Sequence, residues 1–213
     1  MRKNKMTALL YKDLVSGKST YLLALVIVLV IAAYLTFNEA MVIIPFLFAF
    51  MPMVLNTISF SKETKSDFAK FAFTTPITRK DYVKSKYSVA ILFGMMALLS
   101  GCTLGCLEYV SLNLALIIGM VSFALPIIIS SIQIPFILKF DEGRGGIVIV
   151  AINFLIFASA WLIGDSLGGL VDLIQTISKL NIYLIVGIIC VITVLILTIS
   201  QNIGVVIMKR KEF

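Results

Sequence analysis

The charged residues of this chain are placed so that they leave six long stretches without any charge. Each stretch is 20 to 30 residues long, and roughly 20 residues of α-helix cross the hydrocarbon core of a bilayer. Helices suit these stretches because backbone polar groups must be paired inside a membrane and because the alternation of barrel strands is missing. We therefore predict an all-α polytopic membrane protein that forms a single transmembrane domain over residues 1–213. The six predicted spans lie at about residues 20–37, 41–60, 87–107, 112–138, 146–164 and 182–207.

The amino-acid composition excludes the main alternatives. Hydrophobic residues make up 60% of the chain and charged residues 14%, whereas soluble proteins average about 45–50% and about 25%. A globule of 213 residues cannot bury so much apolar surface. The 13 glycines, 5 prolines and 3 cysteines are too few for a collagen-like, disordered or disulfide-rich chain.

The basic residues predict the orientation of the spans, because Lys and Arg accumulate in the cytoplasmic segments of membrane proteins. With a cytoplasmic N-terminus, the inner segments contain 17 of the 18 Lys and Arg residues, and only Lys179 lies outside. We therefore predict that both termini are cytoplasmic, and that the net charge of +7 reflects topology rather than nucleic-acid binding. The inner segments are 1–19, 61–86, 139–146 and 208–213.

Two segments outside the spans have the spacing of amphipathic helices. Residues 4–18 place their apolar side chains on one helical face, which predicts a helix on the inner leaflet, although Asp13 lies close to that face and weakens the pattern. The alternative for this segment is a solvated basic start. Residues 165–181 carry apolar side chains at helical spacing and predict an outer amphipathic helix before span six.

The inner loop 61–86 is longer than a connection between adjacent helices requires. Its first part, 61–73, predicts a helix with Phe68 and Phe71 on one face, ended at Thr75-Pro76. Thr78 then has the position of an N-cap, with Asp81 three residues later, for a helix that continues into span three. We interpret the loop as a structured docking element; a basic loop that binds lipid headgroups is the alternative.

Catalytic groups are missing from the predicted spans. The chain has no histidine, and its spans contain no ionisable side chain other than tyrosine and cysteine. Proton-coupled transporters and intramembrane proteases generally need such groups at depth. We predict that the chain is not itself an enzyme, that it holds no metal site, and that any energy for transport comes from elsewhere.

A few small and polar residues stand out within the spans. Gly101 and Gly105 are one helical turn apart and predict a close approach by another helix. Asn56, Gln133 and Asn153 have two interpretations: they contact a substrate in a cavity, or they form hydrogen bonds between helices. Asn56 and Asn153 are kept as candidate residues of a substrate path.

Three local patterns resemble a known family. Segment 10–14, LYKDL, is similar to the family's amphipathic start, and segment 73–87, FTTPITRKDYVKSKY, to its "LP-(I/V)-(S/T)-R-K…V-x-(S/A)-K-Y" pattern. Segment 135–144, PFILKFDEGR, is similar to "P-x-x-x-K-(F/Y)-G-x-x-(K/R)". The chain departs from the second pattern at Thr75, where Leu is usual, and from the third at Asp141, where Gly is usual. The sequence thus resembles the permease subunits of type-2 ABC exporters, in particular the compact bacterial group with phenol-soluble modulin exporters and bacitracin-resistance permeases.

The resemblance implies a permease of an ATP-driven exporter in a bacterial plasma membrane. It implies a homodimer, or a pair of similar permeases, bound to two separate ATP-binding-cassette subunits that hold ATP and Mg, while this chain holds no cofactor. Loop 61–86 would then dock on the ATPase, and the uncharged spans would suit an amphipathic or toxin-like peptide. The alternative hypothesis is a non-transporting immunity or sensor protein that binds a peptide. The candidate docking residues are Phe68, Phe71, Phe73, Pro76, Thr78, Arg79, Lys80 and Tyr82.

Overall fold

The computed structural model describes residues 8–13, 15, 18–38, 40–66, 68–74, 77–107, 109, 111–140 and 182–210, and all regular secondary structure in these ranges is helical. A short helical segment at 8–13 comes first. It is followed by α1 (Lys18–Phe37), a 3-10 turn (Met41–Ile43), α2 (Ile44–Lys65), α3 (Phe68–Thr74), α4 (Arg79–Cys106), α5 (Leu112–Lys139) and α6 (Ile182–Arg210). Predicted span 146–164, the predicted outer helix 165–181, Pro76 and Asn153 lie outside the described residues.

Four of the described helical stretches are long and apolar enough to cross a membrane, namely Met41–Lys65, Arg79–Cys106, Leu112–Lys139 and Ile182–Arg210. Tyr21–Phe37 is also apolar but shorter. These five stretches coincide with five of the six spans predicted from the charge spacing. The all-helical membrane class predicted from the sequence is therefore confirmed.

Helix α2 departs from the prediction at its C-terminal end. The sequence predicted a separate helix over 61–73, but α2 continues to Lys65, and only 68–74 form a second, short helix. The Ser66 hydroxyl group accounts for the break, because it donates to the carbonyl oxygens of Lys62 and Glu63, at 2.9 and 3.3 Å, and the Glu63 oxygen would accept from the next backbone N–H in a continuing helix. A serine that bonds the backbone in this way competes with helix continuation.

Helix α4 packs most closely against α5. A Cβ atom added at Gly101 would lie 2.6 Å from the Gly119 Cα atom of α5, and one added at Gly105 would lie 2.6 Å from the Ala115 Cβ atom. Both distances are shorter than any tolerated contact. The close helix approach predicted from Gly101 and Gly105 is confirmed, and it exists because neither residue has a side chain.

Hydrogen bonds at depth connect α2 to α5. The Asn56 side-chain amide donates to Ser130 Oγ at 3.3 Å, and Asn56 is only 1% exposed. Gln133 Nε2 donates to the Met53 carbonyl oxygen and to Thr57 Oγ1, both at 2.8 Å. These contacts correspond to the second interpretation of Asn56 and Gln133, hydrogen bonding between helices.

A proline in α5 determines a second polar contact, this time with α6. Pro135 has no N–H group to donate to the Ser131 carbonyl oxygen one turn earlier. Ser200 Oγ of α6 donates to that oxygen instead, at 2.5 Å. Because the hydroxyl hydrogen of Ser200 is used there, Tyr87 Oη must be the donor in its 2.6 Å contact with Ser200 Oγ. One relay of hydroxyl groups therefore joins α4, α6 and α5.

Candidate functional site at the charged end of the bundle

The charged residues of the described ranges gather at one end of the bundle. Helix α4 runs antiparallel to α2, α5 and α6, so the C-terminal ends of those three helices surround its first turns. We call this region the charged end. It consists of segment 8–13, the last turn of α2, the whole of α3, the first two turns of α4 and the last turns of α5 and α6. An apolar core lies directly beneath it, made of Phe60, Tyr82, Val83, Tyr87, Ile134, Leu138 and Met208.

The first turn of α4 has the cap predicted from the sequence. The Asp81 backbone N–H donates to Thr78 Oγ1 at 3.1 Å, and the Thr78 hydroxyl group donates to Asp81 Oδ2 at 2.6 Å. The carboxylate also lies at the N-terminal end of the helix, where the helix dipole favours a negative charge. The cap fixes where α4 begins, and therefore where Arg79, Tyr82 and Lys86 lie around its circumference.

A cluster of four charged side chains lies within the charged end, and it is called the charge cluster below: Lys12, Asp13, Glu63 and Lys86. The Lys86 Nζ atom lies 3.0 Å from Asp13 Oδ2, 2.7 Å from Glu63 Oε1 and 2.9 Å from Ser59 Oγ. An ammonium group has three N–H donors, so these three acceptors satisfy it completely.

The charge cluster is closed and electrically balanced. Lys12 contacts both carboxylates, with its Nζ atom 3.0 Å from Asp13 Oδ1 and a hydrogen bond to Glu63. Two ammonium groups thus face two carboxylates. Three members are buried, with side-chain exposure of 2% for Lys86, 3% for Asp13 and 7% for Glu63, while Lys12 keeps 29%. Burying charges is costly unless each is paired and hydrogen-bonded, and this arrangement meets that condition.

The cluster also changes the acidity of Asp13. Burial raises the pKa of this carboxyl group, but the positive charges of Lys86 and Lys12 and their hydrogen bonds lower it by more, so the pKa lies below its usual value of 3.8. Asp13 is therefore a carboxylate at neutral pH, and it holds the helical segment 8–13 against α2 and α4.

Helix α3 lies over the outer side of the charge cluster and presents its aromatic residues in three directions. The Lys12 Nζ atom lies 3.6 Å from the ring centroid of Phe68, a cation–π contact. Phe73 packs edge-on against Tyr82, with ring centroids 5.8 Å apart. Phe71 is 74% exposed. The predicted common face of Phe68 and Phe71 is thus divided, because Phe68 turns towards Lys12 and Phe71 towards solvent.

Arg79, predicted as a docking residue, makes contacts within the chain. Its guanidinium group donates to the carbonyl oxygens of Met208 and Lys209, at 3.0 and 2.6 Å, and lies 5.7 Å from the ring centroid of Phe73. Both carbonyl groups belong to the last turn of α6, and a positive charge stabilises the C-terminal end of a helix. Arg79 therefore joins α4 to the end of α6.

The other predicted docking residues differ in accessibility. Lys80 and Thr78 are exposed, whereas Tyr82 is 2% exposed and donates its hydroxyl hydrogen to Glu63 Oε2 at 2.6 Å. Tyr82 therefore belongs to the wall of the charge cluster. Of the predicted residues that the structure describes, Phe68, Phe73, Arg79 and Tyr82 are brought together by contacts, and Phe71 and Lys80 face outwards.

None of the four members of the charge cluster was among the site residues predicted from the sequence, and Asp13 stood out only because it weakens an amphipathic pattern. The position of Asp13 near the apolar face was the one available signal, since an acid on a buried face needs a basic partner. Its partner is 73 residues away in the sequence, so spacing alone could not identify it.

Comparison with known proteins identifies the family. The model of the family described as "ABC-2 family transporter protein" matches residues 8–209. A search of the curated proteins and a search of the solved structures gave no match. The match and the several apolar helices show a multi-pass protein of the cell membrane. The chain belongs to the ABC-2 transporter family, whose members are membrane permeases that are not themselves catalytic, and membership implies association with an ATP-binding-cassette subunit.

Proposed function

We propose that this permease belongs to an ATP-driven exporter whose charged end faces the cytoplasm and whose helix α3 docks on the ATP-binding-cassette subunit. ATP and Mg are bound by two copies of that subunit. Two copies of this chain, or this chain and a similar permease, form the transport path in a bacterial plasma membrane. The single observation that carries the proposal is the exposed Phe71 on a short helix that is anchored on both sides.

Helix α3 has the features of a docking element. Phe71 exposes 74% of its surface, and exposed aromatic side chains of this kind often act as anchors that fill a pocket of a partner. Phe68 and Phe73 hold the helix against Lys12 and Tyr82, so Phe71 is presented on a supported element. The basic residues around it favour the cytoplasmic side, where ATP is available.

The apolar character of the described spans supports a peptide substrate. Between their two ends these spans carry no charged side chain, and Asn56 and Gln133 are engaged in bonds between helices. A hydrophilic solute would find few partners along such surfaces, whereas an amphipathic peptide buries its apolar face there. The substrate class we propose is therefore an amphipathic, toxin-like peptide.

Docking is tested by replacing Phe71 with alanine. Tagged permease is purified in mild detergent from cells that produce it together with its ATPase, and the retained ATPase is measured. Loss of an aromatic anchor costs about 2 kcal/mol or more, which corresponds to roughly thirtyfold weaker binding. We expect Phe71→Ala to lose most of the retained ATPase while its thermal unfolding is unchanged.

The matched control is Phe37→Ala. Phe37 is 88% exposed, and it lies at the opposite end of α1 from the charged end. This variant should retain the ATPase like the unmodified permease. Equal retention by Phe71→Ala would contradict docking through α3, and an unmodified chain that retains no ATPase would favour the immunity or sensor hypothesis.

Transport is tested with inside-out vesicles that contain the permease and its ATPase. A fluorescent amphipathic cationic peptide should accumulate in the lumen when ATP is added. Omission of ATP should prevent accumulation, and a scrambled peptide of the same composition without an amphipathic face should accumulate less. Equal accumulation of both peptides would contradict the proposed substrate class.

A further inference from the structure

The charge cluster connects α3 to α4 through a series of close contacts. Lys12 lies over Phe68 of α3 and contacts Glu63 of α2. Glu63 Oε1 also accepts from Lys86 of α4 at 2.7 Å, and its second oxygen, Oε2, accepts from Tyr82 Oη at 2.6 Å. Both carboxylate oxygens of Glu63 are therefore fixed, and two of the groups that fix them belong to the first two turns of α4.

Lys12 is the most accessible member of the cluster and the one in contact with α3. Its side chain is 29% exposed, against 7% or less for the other three members. If α3 moved and took Lys12 with it, Lys86 alone would face two buried carboxylates. Such an unbalanced buried charge is strongly unfavourable. A movement of α3 that carries Lys12 with it is therefore unfavourable unless Glu63 and the first turns of α4 follow.

We infer that Glu63 and Lys86 are positioning residues that transmit the movement of α3 to α4 when the docked ATPase binds ATP. This inference rests on the proposed docking of the ATPase at α3. Hydrogen bonds to both carboxylate oxygens, together with the positive charges of Lys12 and Lys86, fix the orientation and the position of the Glu63 side chain. The edge contact between Phe73 and Tyr82, with ring centroids 5.8 Å apart, is a second connection between α3 and α4, but apolar rings slide past each other without leaving a charge unpaired.

The test compares the single variant Lys86→Met with the double variant Glu63→Gln/Lys86→Met in complex with the ATPase. The single variant leaves one uncompensated negative charge. The double variant removes one charge of each sign, so Asp13 and Lys12 remain as a balanced pair and the charge penalty on folding is relieved. Lys84→Met is the matched control, since Lys84 lies on the same helix and outside the cluster.

The measurement is hydrogen exchange of the backbone amides with and without a non-hydrolysable ATP analogue. In the unmodified complex we expect ATP to change the exchange of α3 and of the first turns of α4, the latter by about fivefold or more, the lower range of typical coupling between sites. In the double variant the α3 response should remain and the α4 response should fall to less than about twofold. Lys84→Met should respond like the unmodified complex.

The outcomes separate this inference from the proposed function. An α4 response of normal size in the double variant would overturn the role of Glu63 and Lys86, and adding Phe73→Ala would show whether the Phe73–Tyr82 contact transmits the movement instead. An unmodified chain that binds no ATPase would overturn the proposed docking, and this inference with it. A purely structural role of the cluster predicts lower thermal stability in Lys86→Met but a normal α4 response in the double variant.

Discussion

Lys86 is the residue whose removal should affect the folded state most directly. Its ammonium group is buried between Asp13 and Glu63, and methionine keeps most of the side-chain volume while removing the charge. Breaking a buried ion pair by removing one partner costs about 3–5 kcal/mol. We expect Lys86→Met to lower the free energy of unfolding by that amount, measured by denaturant or thermal unfolding in detergent.

Lys84→Met is the comparison that gives this measurement its meaning. It removes the same charge from the same helix, two residues away and outside the cluster. Substitutions away from buried networks change the free energy of unfolding by about 0.5 kcal/mol or less. A loss of similar size in both variants would show that the cluster does not stabilise the bundle.

The contribution of Asp13 should depend on pH. Its folded-state pKa lies below the usual 3.8, so the carboxylate stabilises the folded state fully above about pH 4 and loses this effect as the pH falls through the lower folded-state pKa. We expect the difference in melting temperature between the unmodified chain and Asp13→Asn to be constant near neutral pH and to shrink below pH 3.8. A difference that persists unchanged at still lower pH would contradict the ionic role of Asp13.

At the level of the helices, α4 and α5 depend on the absence of side chains at their contact. A Cβ atom at Gly101 would lie 2.6 Å from a backbone atom of Gly119, whereas one at Gly187 of α6 would meet no atom within 4 Å. We expect Gly101→Ala to lower the free energy of unfolding by about 1–3 kcal/mol, the usual cost of overpacking. Gly187→Ala should leave it unchanged or raise it slightly, and equal losses would contradict the packing argument.

The hydroxyl relay between α4, α6 and α5 gives a second helix-level prediction. Ser200→Ala would leave the Ser131 carbonyl oxygen, already deprived of its usual donor by Pro135, buried without a partner. Such a group costs about 1–3 kcal/mol. Tyr87→Phe keeps the Ser200–Ser131 hydrogen bond and should cost less in the same thermal-unfolding assay. A larger loss for Tyr87→Phe would show that the Ser131 carbonyl does not depend on Ser200.

Local patterns in the sequence were sufficient to predict some of these elements. The cap at Thr78 depends on residues three positions apart, and the close approach at Gly101 depends only on residue size. Both could therefore be predicted without knowing which distant residues they contact. The end of α2 could not be placed, because hydrogen bonds from the Ser66 side chain interrupt an otherwise helical pattern. The charge cluster required the relative positions of segment 8–13, α2 and α4, which only the packed structure provides.

For the whole molecule, the exposed surface agrees with a membrane environment. Leu23, Val30 and Phe37 of α1 and Tyr183, Val191 and Ile199 of α6 are each more than half exposed. Apolar areas of this extent are rare on soluble monomers. The faces of α1 and α6 therefore need an apolar cover along their length, such as lipid or a second permease copy.

The same arrangement predicts the topology of the molecule in the cell. All charged residues of the described ranges except Lys18, at the start of α1, lie at the charged end, and basic residues are retained on the cytoplasmic side during insertion. In a chain whose Cys102, Cys106 and Cys190 are replaced by serine, we compare Tyr109→Cys, at the opposite end, with Lys65→Cys at the charged end. A maleimide that cannot cross membranes should label the Tyr109→Cys variant in intact cells, and the Lys65→Cys variant only after permeabilisation. The reverse pattern would place α3 outside the cell, away from any source of ATP, and would contradict both the orientation and the docking of an ATPase at the charged end.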